Sequence, residues 1–204
     1  CIDCDTSGLY CTACLMQSHT RSPLHRVKTW NGTYFEESSL ASAGLTLKLG
    51  HDPALCDSRK AKNHSHLMTV MDTNGLHNVR LTWCRCYGFS QLGRELLRLQ
   101  WVLATLVRPG TAFTFRVLKH FQMLSHVART TPWDFCNAIQ RITDNIQPDL
   151  LPDIYRSFNR IQHIWRVARA YKRGGVTSVS RYEMQLGMQC VSCSWPGKNI
   201  PDNW

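Results

Sequence analysis

Val70-Met71-Asp72-Thr73-Asn74-Gly75-Leu76-His77-Asn78-Val79-Arg80-Leu81-Thr82-Trp83 carries the reading on which the fold turns. Asn-Gly is the strongest short-range signal for a hairpin turn. Beyond it, Val79, Leu81 and Trp83 alternate with Arg80 and Thr82, the period of a strand with one buried face. Residues 66–84 therefore read as a β-hairpin. The same alternation puts Cys84 and Cys86 on the Arg80 face, with both sulfurs to one side, as chelation requires.

Elements of both kinds lie outward from this hairpin. Upstream, Leu45, Leu47 and Leu49 alternate with Thr46 and Lys48, a half-buried strand that Gly50-His51-Asp52-Pro53 ends. Downstream, from Ser90, the period becomes helical. Leu92, Leu96 and Leu99 mark a short amphipathic helix, and Pro109-Gly110 interrupts the chain after it. Phe113, Val117, Phe121 and Leu124 follow helix spacing in the next segment. Thr131 at an N-cap and Pro132 at N1 start a third helix, with Phe135, Ile139, Ile142 and Ile146 toward a core. Cys136 beside that face reads as a buried hydrophobe. A last helix over 152–173 stops at Gly174-Gly175, and its apolar arc holds Ile154, Phe158, Ile161, Trp165 and Ala168. The expected class is α+β, without internal repeats or low-complexity tracts.

The N-terminal stretch is of another kind. Cys1-x2-Cys4-x6-Cys11-x2-Cys14-x4-His19-x5-His25 places six zinc ligands in little apolar material, so metal must do the work of a core. A closed structural zinc site takes four such ligands, so six make one and a half sites. The chain also begins on a ligand, and the expectation is a piece of a longer protein cut within a zinc module. Two pairings are open. An interleaved arrangement joins Cys1, Cys4, His19 and His25 on one ion and leaves Cys11 and Cys14 for an upstream pair. A sequential one puts Cys1, Cys4, Cys11 and Cys14 together. The spacing resembles ZZ and B-box fingers, in which two late histidines close the second site. A further zinc site is expected from His51 and Cys56 with Cys84 and Cys86; His77 and the pair Cys190 and Cys193 compete for the same role. Close pairs among ten cysteines favour metal over a disulfide framework.

The formal charge is +10, from 24 basic and 14 acidic residues. A Cys2His2 zinc site is neutral, so a basic surface survives metal binding and favours an acidic partner such as DNA. On the last helix Arg156, Arg160, Arg166 and Arg173, with His163 and Tyr171, form a face suited to phosphates. His64 and His66 flank an expected loop and receive no role. There is no GxxxxGK[ST], GxSxG, HExxH or GxGxxG, and the acidic residues form no spaced pair, so no catalytic residue is assigned. The longest apolar run, 101–107 with Thr105 inside it, falls short of the about 20 residues of a membrane span, and a soluble protein is expected. Without a secretory signal, the sequons at Asn31 and Asn63 read as chance.

Several segments together resemble the CxC2-like cysteine cluster that precedes KDZ (Kyakuja-Dileera-Zisupton) transposases, abundant in fungal genomes. They are the finger over 1–25, Pro23-Leu24-His25 with Trp30, Gly44-Leu45, and Leu49-Gly50-His51 with Cys56. Asn74-Gly75-Leu76-His77, Cys84-Arg85-Cys86, Ala104-Thr105 and Arg108-Pro109-Gly110-Thr111-Ala112-Phe113-Thr114-Phe115 follow. Cys190, Cys193 and Pro196-Gly197-Lys198-Asn199-Ile200-Pro201 through Trp204 complete the series. The family's closing prolines are missing around Val191-Ser192-Cys193-Ser194, and Leu103 stands where a proline is expected. The resemblance implies zinc ligation at the cysteines and histidines named above, structural rather than catalytic. It also implies a nuclear protein whose RNase H-like catalytic domain follows this chain. The expected organisation is a zinc finger over 1–29, a β-rich cysteine cluster over 30–88, a helical region over 89–175 and a linker over 176–204. The expected role is DNA binding or positioning of the catalytic domain, with a protein-interaction module as the alternative.

Overall fold

The computed structural model describes residues 1–5, 8–50, 64–83 and 91–174. The chain divides into two compact units, Cys1–Gln162 and His163–Trp204. The first begins with the short helix α1 (Thr12–Ser18) and a two-stranded antiparallel sheet of β1 (Val27–Trp30) and β2 (Phe35–Ser38). Asn31 makes the turn between them: its Oδ1 accepts from the backbone N–H of Thr33 and Tyr34, both at 3.0 Å. Val27, Leu40 and Leu45 form a small core here, with Cys1, Leu15 and Met16 packed against it.

The body is a five-stranded mixed sheet. It comprises β3 (Thr46–Leu49), β4 (His64–Asp72), β5 (Gly75–Trp83), β6 (Trp101–Leu103) and β7 (Thr111–Thr114), in the order β3-β5-β4-β7-β6. The β4–β5 hairpin is its centre, pairing His64 with Trp83 through to Asp72 with Gly75. Along β5 the odd positions from Val79 to Trp83 are buried, as the alternation requires. β3 runs parallel to β5, β7 runs parallel to β4, and β6 closes the edge antiparallel to β7. Met68, Val70, Val79, Leu81 and Ala112 meet Leu92 and Leu96 of helix α2 (Gln91–Arg98) in the main core.

Three further helices follow: α3 (Phe115–Val127), α4 (Pro132–Thr143) and α5 (Tyr155–Arg173). Phe113, Phe121, Phe135 and Phe158 pack as one aromatic cluster with ring centroids 5.1, 5.2, 5.5 and 5.6 Å apart, which joins the helices to β7. Thr131 caps α4 as expected, its hydroxyl accepting from the Asp134 N–H at 3.2 Å. Cys136 is buried, and burial pushes its thiol up to about 12. In the second unit the described residues are the end of α5, where the Arg169 guanidinium lies 5.6 Å from the Trp165 ring centroid.

The architecture is α+β, and it departs from the sequence reading in detail. Residues 101–114 contribute two strands within the stretch read as helical, so Phe113 belongs to β7 rather than to the helix after it. Sheet pairing overrides its helical spacing. Ile142 and Ile146 are 45% and 90% exposed: the buried face of α4 holds Phe135, Cys136 and Ile139, which leaves Ile142 off it, and the helix ends at Thr143 before Ile146. His66 lies in a strand, and its Nε2 donates to the Pro109 carbonyl at 2.6 Å.

Candidate metal centre

Cys1, Cys4, His19 and His25 converge until their ligand atoms all lie within 4.8 Å of one another. Among the described residues this is the one group that could hold a metal ion. Cys4 Sγ lies 3.3 Å from His19 Nε2 and 3.4 Å from His25 Nδ1, and Cys1 Sγ lies 3.6 Å from the same Nδ1. His19 is almost fully buried, directly after α1, and its Nδ1 is 2.9 Å from the Leu15 carbonyl. A carbonyl can only accept, so Nδ1 carries the proton and Nε2 keeps its lone pair toward the sulfurs. Fixing a ligating imidazole through its other nitrogen is the usual outer-shell device. Burial, and then the neighbouring His19, hold His25 below its ordinary pKa, which favours the neutral ligating form.

Cys11 and Cys14 stay outside this cluster, so it is the interleaved set of four that comes together. Both are exposed at the start of α1, where Cys11 Sγ caps the helix by accepting from the Cys14 N–H at 3.5 Å. That bond lowers the Cys11 thiol, and Cys11 in turn raises Cys14. His51, Cys56, Cys84, Cys86, Cys190 and Cys193 lie outside the described residues. His77 is buried and engaged: its Nε2 donates to Asn74 Oδ1 at 2.8 Å, and burial lowers it to about 4.

The support beneath the cluster was not visible in the ligand spacing. Asp3, between Cys1 and Cys4, accepts from the Arg26 backbone N–H at 2.7 Å and from the Arg26 guanidinium at 3.0 and 3.3 Å. It also accepts from Asn74 Nδ2 at 2.9 Å, and the same amide donates to the Leu24 carbonyl at 2.9 Å. The turn of the central hairpin thus grips both the cysteine knuckle and the residue before His25. Burial alone would raise the Asp3 carboxyl, yet these hydrogen bonds hold it below its ordinary value.

Of the arginines assigned to phosphates, Arg156 and Arg173 are exposed on α5 and Arg166 is half-buried. Arg160 donates to the Ala104 carbonyl, so part of its guanidinium is spent inside the fold. No helix among the described residues is long and apolar enough to cross a membrane.

Fold and site together define a small mixed-sheet domain with an attached two-cysteine, two-histidine cluster that could hold a metal ion. The model of the CxC2-like cysteine cluster associated with KDZ transposases matches residues 40–147, and the chain belongs to that family. The match covers the five-stranded sheet and helices α2 to α4, and the four-ligand cluster lies upstream of it. No curated protein and no solved structure matches the chain.

Proposed function

We propose that this chain is a zinc-dependent recognition module of a KDZ-type transposase, without catalytic residues of its own, that contributes to DNA binding. The observation that carries the metal half is the cluster's geometry. Zinc–sulfur bonds of about 2.3 Å and zinc–nitrogen bonds of about 2.0–2.1 Å put tetrahedral neighbours about 3.5 Å apart. The sulfur–nitrogen separations are 3.3, 3.4 and 3.6 Å. Two thiolates and two neutral imidazoles suit zinc, and a site closed by four protein ligands serves the fold rather than chemistry. Cys1, Cys4, His19 and His25 would hold the ion, whose two charges the thiolates cancel.

That neutrality leaves the formal charge of the chain at +10. A basic, nuclear, transposase-linked module has DNA as its natural partner, with Arg156, Arg160, Arg166 and Arg173 as phosphate contacts and a following catalytic domain to position. Duplex DNA titrated against the zinc-loaded chain should bind at low salt. The logarithm of affinity should then fall against the logarithm of salt with a slope near −0.9 per phosphate contacted. No binding at low salt would sink the DNA reading.

A second reading rests on a different surface. A groove of about 1090 Å³ lies between the cysteine knuckle and the β1–β2 hairpin, with Leu9, Tyr10, Trp30 and Phe35 along it. Its Lys28 is paired with Glu37 at 3.1 Å, so the groove offers apolar area rather than charge, which suits a protein partner. Binding of a protein that is insensitive to salt would favour this role.

A further inference from the structure

The second cleft of the first unit, about 490 Å³, opens between residues 20–25 and the elements around β6 and α3. Leu24, Leu47 and Trp101 give it apolar walls, while Arg21 and Arg116 supply charge, and no Asp or Glu is among its lining residues. Arg116 is held from behind. Its Nε and Nη2 both donate to the Asp72 carboxylate, which is fully buried and also accepts from Thr114 Oγ1 at 2.7 Å. Burial would raise Asp72, but these donors keep it below its ordinary value and therefore ionised. The Arg116 side chain remains 65% exposed, and Nη1 has no partner among the described residues. A guanidinium bound along one edge is rigid and still has donors for a second anion. Arg21 is exposed and forms no ion pair among the described residues. It also lies in the loop between His19 and His25, so an ion held by both histidines would fix the loop that carries it.

We infer that this cleft is a phosphate-binding subsite for a nucleic acid strand, with Arg21 and Arg116 as its donors. The inference rests on the DNA reading above and adds to it a place and two residues outside α5. The pairing of Arg116 with Asp72 then has a purpose beyond stability: it presets the donor before the phosphate arrives. A rigid donor loses less entropy on binding than a free side chain does.

The test is fluorescence anisotropy of a labelled random-sequence duplex against the zinc-loaded chain over a salt series, with four variants beside the wild type. Arg21→Ala should weaken binding to every sequence and flatten the salt slope by about 0.9. Arg21→Glu should weaken it further. Arg116→Lys keeps the charge opposite Asp72 but loses the fork, so it should lower affinity at an unchanged slope. Arg141→Ala, an exposed arginine of α4 outside the cleft, should bind as the wild type does. Zinc content and thermal midpoint check that each variant is folded. Wild-type affinity and slope in both Arg21 variants, from a chain that does bind DNA, would overturn the subsite and leave the broader reading standing. Wild-type affinity in Arg116→Lys would overturn the two-guanidinium assignment. A wild-type chain that binds no DNA at low salt would remove both readings. Polyglutamate binding as tightly as DNA of equal charge, and lost in Arg21→Ala, would assign the cleft to an acidic peptide instead.

Discussion

Asp3 touches no ligand sulfur or nitrogen, yet its carboxylate ties the loop between the two cysteines to Arg26, directly after His25, and to Asn74. Outer-shell groups of this kind commonly change metal affinity by about 10–100-fold. Asp3→Ala should therefore weaken zinc binding by about that factor while leaving the stoichiometry intact. Competition against a chromophoric chelator reads this directly, and an unchanged affinity would show that the knuckle is rigid without Asp3. His77 gives a second prediction. The folded imidazole is buried and stays neutral down to about 4, whereas the unfolded one takes its proton near 6.5. Between those values the unfolded chain binds more protons, so stability rises with pH across the window and is lost as pH falls through it. The loss from His77 is on the order of 3 kcal/mol. His77→Gln removes this titration and keeps an N–H for Asn74. The two chains differ at this residue alone, so the difference in urea midpoint between them isolates His77. Parallel curves from pH 7 to pH 4 would refute the assignment. The partners of Asp3 lie 23 and 71 residues away, which is why the ligand spacing could be read from the sequence and its support could not.

Among the elements, two Asn-Gly pairs make two hairpins by different means. In the central one the turn residues are Thr73 and Asn74, and Gly75 opens β5 at φ +137°. A Cβ there would meet Thr143 Oγ1 at 3.0 Å, the same oxygen that accepts the Leu76 N–H at 2.8 Å. Gly32, at φ +104°, has open space around it. Alanine at either glycine meets backbone strain of about 1–3 kcal/mol, and only at Gly75 does it also press on the end of α4. Urea unfolding should therefore rank Gly75→Ala below Gly32→Ala, and equal losses would show that the contact with Thr143 yields freely. The central hairpin was legible because its turn signal leads into β5, where buried residues recur at every second position across nine residues. The β1–β2 hairpin carried the same turn signal at Asn31-Gly32, but its four-residue strands face mostly outward and show no alternation. β6 and β7 were hidden for a related reason. They are three and four residues long, and Phe113 also satisfies the helical spacing of the segment after it. Short strands are fixed by the sheet they join rather than by their own pattern.

At the scale of the whole chain, the core of the sheet and the core of the N-terminal module differ in what holds them. The sheet buries ten residues in one cluster, from Leu24 and Met68 to Trp101 and Ala112. Among the described residues, the cluster of the N-terminal module holds three, Val27, Leu40 and Leu45. A core that small supports little structure without a staple, and a metal held by Cys1, Cys4, His19 and His25 would supply its binding energy directly to folding. Chelation should therefore melt the module while the central sheet persists. The boundary between them should not be sharp, however. Asn74 holds Asp3 and Leu24, and Arg26 donates to the Ile142 carbonyl at 3.3 Å, so the knuckle braces both the hairpin turn and the end of α4. Hydrogen exchange after removal of the metal should show three levels. Amides of α1, β1 and β2 should exchange fast, Leu76 and the last turn of α4 should be partly released, and Met68, Val70, Val79 and Leu81 should stay protected. Excess zinc should restore the first two levels together, with a stabilisation that grows with the logarithm of free metal. Uniform loss across the sheet would mean that the metal holds the entire chain rather than its N-terminal module. No change at Leu76 would mean that the Asp3–Asn74 contact transmits nothing, and the cluster would then be a tethered finger beside an independent domain.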